Sequence, residues 1–239
     1  MTIQTRKVEY DIDGKTYEGV LAYDDTQSGM RPGVLVSHAW AGCSDFEIDK
    51  AKALAELGYV GFALDLYGKG VLGETNEQCQ ALMTPLVEDR EMLRARLATT
   101  IDVIKNQPEV DATQIGAIGF CFGGLCVLNM ARGGADIKGV VSFHGLLGEP
   151  DNSTENIKAK ILVLHGWDDP MVTSDNVVAF AAEMTNAKAD WQIHAYGGTM
   201  HAFTNPAAND PDFGTVYDKD ADRRSWTAMK NFLSEVFRE

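Results

Sequence analysis

Six short apolar runs punctuate this chain: Val34–Ser37, Val60–Leu64, Ile115–Gly119, Val140–Phe143, Ile161–Leu164 and Trp191–Tyr196. They are too short and too apolar to be half-exposed hairpin strands, so they read as buried parallel strands. Helices fit between them. Ser44-Asp45-Phe46-Glu47 has capping-box spacing ahead of Ile48–Leu57, which stops at Gly58. The stretch from Asn76 to Ile104 reads as two helices interrupted near Pro85, and Ser174–Asn186 and Asp220–Phe237 complete the set. Two antiparallel strands, Lys7–Ile12 and Thr16–Tyr23, precede all of this and join at Asp13-Gly14, a hairpin signal.

The third apolar run leads into Gly119-Phe120-Cys121-Phe122-Gly123, followed at once by a helical segment, Leu125 to Arg132. Strand, sharp turn and helix around G-x-C-x-G form the context of a nucleophile elbow, with a thiol in place of the usual serine. Small residues must flank such a turn so that backbone and helix can pass closely, and Gly119, Gly123 and Gly124 supply them. The helix N-terminus aimed at Cys121 favours a thiolate there and donors for an oxyanion. Eight strands, the first two antiparallel, with helices on both faces and this elbow mid-chain, make the expected architecture an α/β-hydrolase fold in a single domain over residues 1–239. A dinucleotide-binding fold is disfavoured, because no G-x-G-x-x-G follows an early strand.

Composition narrows the chemistry. The formal net charge is −14, from 21 basic and 35 acidic residues, which argues against nucleic-acid binding. No apolar run approaches a membrane span, and residues 1–7 lack a signal-peptide block, so a cytoplasmic location and no membrane partner are expected. The cysteines Cys43, Cys79, Cys121 and Cys126 form no C-x-x-C pair and no zinc spacing; reduced thiols are expected, three of them packing residues. His194 and His201 are not spaced as metal ligands, and no metal or cofactor is expected.

An elbow nucleophile needs a base and an orienting acid, which in this fold come later in the order acid, then histidine. After Ile161–Leu164 comes His165-Gly166-Trp167-Asp168-Asp169-Pro170-Met171-Val172, and after Trp191–Tyr196 comes Gly197-Gly198-Thr199-Met200-His201-Ala202-Phe203. His201 is the expected base. Asp169, in G-x-x-D-x-x-V register, is preferred over Asp168 as its partner on spacing, with both left open. His38 is expected to shape the loop after the first parallel strand, and His144 and His165 to be satisfied structural groups. The main-chain N–H of Phe122 is the expected oxyanion donor, and that of Trp40 the second, with the Trp40 ring over the acyl pocket.

Together these residues resemble the dienelactone hydrolase family, from about Arg31 to Glu239. The likeness includes the G-x-C-x-G-G elbow, Asp65-Leu66-Tyr67-Gly68 and the H-x-F motif at His201–Phe203. The resemblance implies a Cys121–His201–Asp169 triad that hydrolyses small esters or lactones through a thioester, without metal or organic cofactor. It puts Trp40 and Phe122 at oxyanion positions and Tyr67, with Phe203 and Asn205, near the substrate. Two departures bear on substrate. Members with well-defined dienelactone activity carry a glutamate just before the first oxyanion residue, which is Ala39 here. They also carry an arginine four residues after the histidine, which is Asn205 here, so no cation is set to grip a substrate carboxylate. Neutral esters or lactones therefore fit better, with organophosphate triesters as the alternative, and Cys121 is expected to rest as a thiolate paired with His201. The competing class is a non-catalytic hydrolase-like small-ligand binder. The partner is a small molecule, and the chain a monomer or homodimer.

Overall fold

The computed structural model describes residues 2–150 and 157–238. Two compact units divide the chain, Met1–Ile118 and Gly119–Glu239. The main sheet has eight strands, mostly parallel, with helices in the connections, as the α/β reading expects.

In the first unit, β1 (Ile3–Ile12) and β2 (Lys15–Asp24) pair antiparallel from Ile3↔Asp24 to Ile12↔Lys15. Asp13 (φ 51°) and Gly14 (φ 77°) are both left-handed, the geometry a two-residue hairpin turn requires. β2 is antiparallel to β4 (Val60–Ala63), and β4 is parallel to β3 (Arg31–Ser37). The order continues to β5 (Val110–Phe120) beside β3. Helix α1 (Asp45–Glu56) carries the expected capping box between Ser44 and Glu47. It packs so close to β4 that a Cβ on Gly61 would meet Ala51 Cα at 2.7 Å.

Helices α2 (Asn76–Glu88) and α3 (Arg90–Lys105) are the expected pair, with the break falling four residues past Pro85. Pro85 lies inside α2, and its carbonyl still accepts the Asp89 N–H at 3.0 Å. The break comes at Asp89, whose carboxylate accepts the Met92 N–H at 2.8 Å and so caps α3. A proline removes one ladder bond, whereas a capping aspartate opens a new helix.

In the second unit the end of β5 is followed in sheet order by β6 (Gly139–Phe143), β7 (Lys160–Gly166) and β8 (Trp191–Tyr196), the last three mutually parallel. β6 is wholly buried, and β7 is buried beyond Lys160. β8 is a correction to the expectation of a buried strand: it is last in the order, and its residues are half-buried or exposed. Helix α4 (Phe122–Arg132) is buried along its whole length and begins at Phe122, three residues before the expected start. Each large apolar side chain buried there stabilises the fold by about 1.5–3 kcal/mol before chain entropy is counted. Helix α5 (Ser174–Asn186) follows β7. The loop after β8 holds a two-stranded ribbon the sequence did not signal, β9 (Asn209–Asp210) with β10 (Thr215–Val216). Helix α6 (Lys219–Val236), capped by Asp218, buries Ala221, Ser225, Met229, Phe232, Leu233 and Val236, one face at helical spacing. Among the described residues no helix is long and apolar enough to cross a membrane.

Candidate active site

β5 ends at Phe120 and α4 starts at Phe122, so Cys121 alone makes the turn, at φ 54° and ψ −116°. A non-glycine residue there costs on the order of 1–3 kcal/mol and persists only where its surroundings fix it. The Cys121 N–H donates to Phe143 O (3.0 Å) and to His144 Nδ1 (3.2 Å), and its carbonyl accepts from Gly124 N (2.9 Å) and Leu125 N (3.3 Å). The flanking glycines are sterically required. A Cβ on Gly119 would run into the Gly123 carbonyl, and one on Gly124 would sit 2.6 Å from Gly145 Cα. The turn leaves Cys121 partly exposed at the N-terminus of α4, where the helix dipole favours negative charge on sulfur. Phe122 opens the helix with its side chain fully buried.

Asp169 and His201 meet in the same unit. Asp169 follows β7 and is 3% exposed, whereas Asp168 is exposed. Asp169 Oδ1 accepts the N–H groups of Met171 (2.8 Å) and Val172 (3.1 Å), leaving Oδ2 to accept from His201 Nδ1 at 2.6 Å. His201 is 1% exposed. Its main chain is clamped to the ribbon: its N–H donates to Gly214 O, and its carbonyl accepts from Val216 N, both at 3.1 Å. The β7 terminus also presses on this loop, since a Cβ on Gly166 would lie 2.6 Å from the carbonyl oxygens of Thr199 and Met200.

Among the described residues, His201 Nε2 is buried and makes no hydrogen bond of regular geometry, and Cys121 acts electrostatically on the ring beside the Asp169 contact. Burial opposes the imidazolium. The Cys121 charge, the Asp169 hydrogen bond, a hydrogen-bonding contact from Cys121 and the Asp169 charge together outweigh it and raise His201 from 6.5 to about 10.

Two more histidines border this pair. His144 (φ 37°) is 3% exposed, and its ring stands edge-on to His201 and to Phe203, 5.1 Å between centroids in each case. It is structural and hydrogen-bonded, as expected, but its bonds reach Cys121 and Thr204, which the sequence did not reveal. His165 departs from the expectation of a satisfied group. It is fully buried, and among the described residues neither ring nitrogen has a hydrogen-bond partner. Burial lowers its pKa, Asp169 opposes this and the His201 charge adds to it, so it stays neutral.

The remaining expected residues are placed as follows. Phe203 is fully buried against His144 and Tyr196. Asn205 is half-buried, and its side-chain oxygen accepts the Ala207 N–H at 3.0 Å. In the first unit, the Tyr67 hydroxyl donates to Trp40 O at 3.0 Å, and Tyr67 packs 4.6 Å from the His38 ring. His38 Nε2 accepts from Leu66 N (3.2 Å), so Nδ1 donates to Ala39 O (2.6 Å), the loop-shaping role expected of it. The Ala39 N–H donates to the buried carboxylate of Glu47 (3.1 Å), a contact that only the capping-box spacing hinted at. Burial, with Glu47 and Asp65 nearby, pushes the Cys43 thiol well up, and its sulfur donates to Ala63 O. Cys79 donates to Gly73 O, and Cys126 is fully buried. Among the described residues no group of three or more His, Cys, Asp or Glu side chains is arranged to hold a metal ion.

Comparison with known proteins matches this arrangement to a family. The family model for the dienelactone hydrolase family matches residues 18–237. A protein of Aquifex aeolicus named "Putative carboxymethylenebutenolidase" is 28% identical over 232 residues, 95% of this chain and 96% of that one. Among solved structures, a dienelactone hydrolase-like promiscuous phosphotriesterase, P91, from metagenomic libraries is 37% identical with TM-score 0.94, covering 98% of this chain and 99% of that one. A second, m3DLH, is 39% identical with TM-score 0.94 over the same shares. With an α/β sheet, a cysteine at the strand–helix turn and a family model spanning nearly its whole length, this chain belongs to the dienelactone hydrolase family.

Proposed function

We propose that this chain hydrolyses small, neutral carboxylic esters or lactones through a thioester on Cys121, with His201 as proton carrier and Asp169 as its orienting partner. The observation that carries the reading is the buried Asp169–His201 contact of 2.6 Å, on a ring that Cys121 and Asp169 together hold protonated. The resting pair is thiolate and imidazolium. The Cys121 sulfur attacks the carbonyl carbon, and the oxygen takes the negative charge, which the Phe122 N–H at the head of α4 stabilises. As the tetrahedral adduct collapses, the C–O bond to the leaving group breaks, and His201 Nε2–H gives that oxygen its proton.

Acylation also removes the charge that raised His201. With sulfur bound in a thioester, the imidazolium loses one of the main causes that hold its proton, so it becomes a stronger acid as the alkoxide leaves. The neutral ring then takes a proton from water as the water oxygen attacks the thioester carbonyl. The carboxylic acid departs, and sulfur and imidazole recover their starting charges. Asp169, held by two main-chain N–H groups, keeps Nδ1 protonated and the ring oriented throughout.

Asn205 at the position of a carboxylate-gripping arginine supports neutral substrates. A second substrate class, organophosphate triesters, is favoured by the likeness to P91 at 37% identity over 98% of this chain. The test is turnover of 4-nitrophenyl acetate, a neutral lactone and a neutral phosphotriester by wild type and Cys121→Ala, with mass spectrometry of the trapped acyl-enzyme. Wild type is expected to turn over repeatedly, and Cys121→Ala to lose on the order of 10⁴-fold or more in kcat. A single stoichiometric acylation without turnover would make the protein a binder instead.

A further inference from the structure

His144 moves no proton in the reaction above, yet it is buried and bonded to both of its halves. The Cys121 N–H reaches its Nδ1 at 3.2 Å, sharing that donor with Phe143 O. A main-chain N–H only donates, so Nδ1 carries a lone pair and the ring proton sits on Nε2. Nε2 lies 2.8 Å from Thr204 Oγ1, which accepts it. Thr204 is itself buried and stands three residues beyond His201. The ring between these bonds packs edge-on against His201 itself.

We propose that His144 is a positioning residue: a neutral imidazole strut that ties the turn presenting the Cys121 sulfur to the loop presenting His201. The proposal rests on the assignment of Cys121 and His201 as nucleophile and proton carrier. Cys121 sits in a backbone conformation that relaxes unless held, and His144 supplies one of the two acceptors for its N–H. The His201 loop is clamped by the ribbon on one side and by the Thr204 bond on the other. His201 faces the His144 ring directly and Asp169 lies behind it, while the Cys121 main chain meets Nδ1. A proton on Nδ1 would oppose one N–H to another and set a second cation beside the imidazolium, so the strut works only when neutral. Histidine suits the site on backbone grounds too, since it enters the left-handed region more readily than most residues.

The test measures kcat and KM for 4-nitrophenyl acetate, and the rate of Cys121 alkylation by iodoacetamide at neutral pH. The variants are His144→Phe, Thr204→Val and His144→Asn, with Cys121→Ala as control. Thr204→Val cuts one end of the strut and leaves the ring in place, so it decides the matter should His144→Phe fail to fold. Thr204→Val and His144→Phe are expected to lower kcat by roughly 10- to 100-fold with KM little changed, and to slow alkylation. His144→Asn, which keeps an acceptor near the Nδ1 position and tolerates the backbone, is expected to recover part of both rates. Wild-type kcat and alkylation in folded Thr204→Val would overturn the proposal, as would His144→Asn no better than His144→Phe. Turnover surviving in Cys121→Ala would remove the assignment beneath it, which is a separate result.

Discussion

A raised imidazole decides how this site should answer to pH. His201 holds its proton to about 10 because the Cys121 and Asp169 charges and hydrogen bonds outweigh burial. An alkyl ester, whose leaving group needs that proton, is expected to keep its kcat/KM through neutral pH and lose it as pH rises through about 10. An aryl ester should lose less, because phenolates leave unaided. Profiles of the two esters, corrected for background hydrolysis, check this, and a fall centred near 6.5 would mean that the imidazole is not held charged. By linkage, the same shift contributes stability that is fully present below 6.5, the ordinary value, and is lost as pH rises through about 10. The preference for Asp169 over Asp168 as the neighbour of His201 was legible in the G-x-x-D-x-x-V register, and the second aspartate lies where two N–H groups and that imidazole share it. The part played by His144 was not legible. Its partners are Cys121 and Thr204, 23 and 60 positions away, and its left-handed backbone leaves no mark in a pattern of apolar residues.

Between elements, one buried ion pair carries more than its share. Arg132 at the end of α4 gives Nε and Nη2 to the two carboxylate oxygens of Glu183 on α5, at 2.8 and 2.6 Å, and donates to the carbonyls of Leu147 and Gly148. Both side chains are nearly sealed from water, at 1% and 6%. Removing one partner strands the other charge, so Arg132→Met is expected to cost about 3–5 kcal/mol in urea unfolding. Arg132→Met with Glu183→Leu should recover most of that loss. If the double variant is as unstable as the single, the carbonyl contacts of Arg132 are what matter. Element types were the most legible level of the fold, because short apolar runs and caps encode them locally. Two elements were exceptions. β8 sets polar Gln192 and His194 between Trp191, Ile193 and Ala195, an alternation that fits its place last in the order and that the buried-strand reading passed over, and the β9–β10 ribbon is two residues a side and has no periodicity to read. Pro85 looked like a break, and the capping aspartate four residues later was the break.

Across the whole chain, a charge of −14 biases what approaches. Cationic esters are expected to show a kcat/KM that falls with added salt and anionic esters one that rises, each by roughly a few-fold between low and physiological ionic strength, with neutral esters flat. Stopped-flow or steady-state rates at two salt concentrations check this, and an anionic ester that is preferred and insensitive to salt would point to a local cation outside the residues argued above.

The four thiols differ in kind. Cys43 is held protonated by burial and neighbouring carboxylates, Cys79 is bound to a carbonyl, Cys126 is sealed inside α4, and Cys121 alone stands at a helix N-terminus beside an imidazolium. To a soft electrophile such a chain is expected to offer a single reactive handle, so a fluorogenic inhibitor should count working molecules in a mixture, one dye per competent site. Misfolded copies, in which the turn has relaxed, would go uncounted.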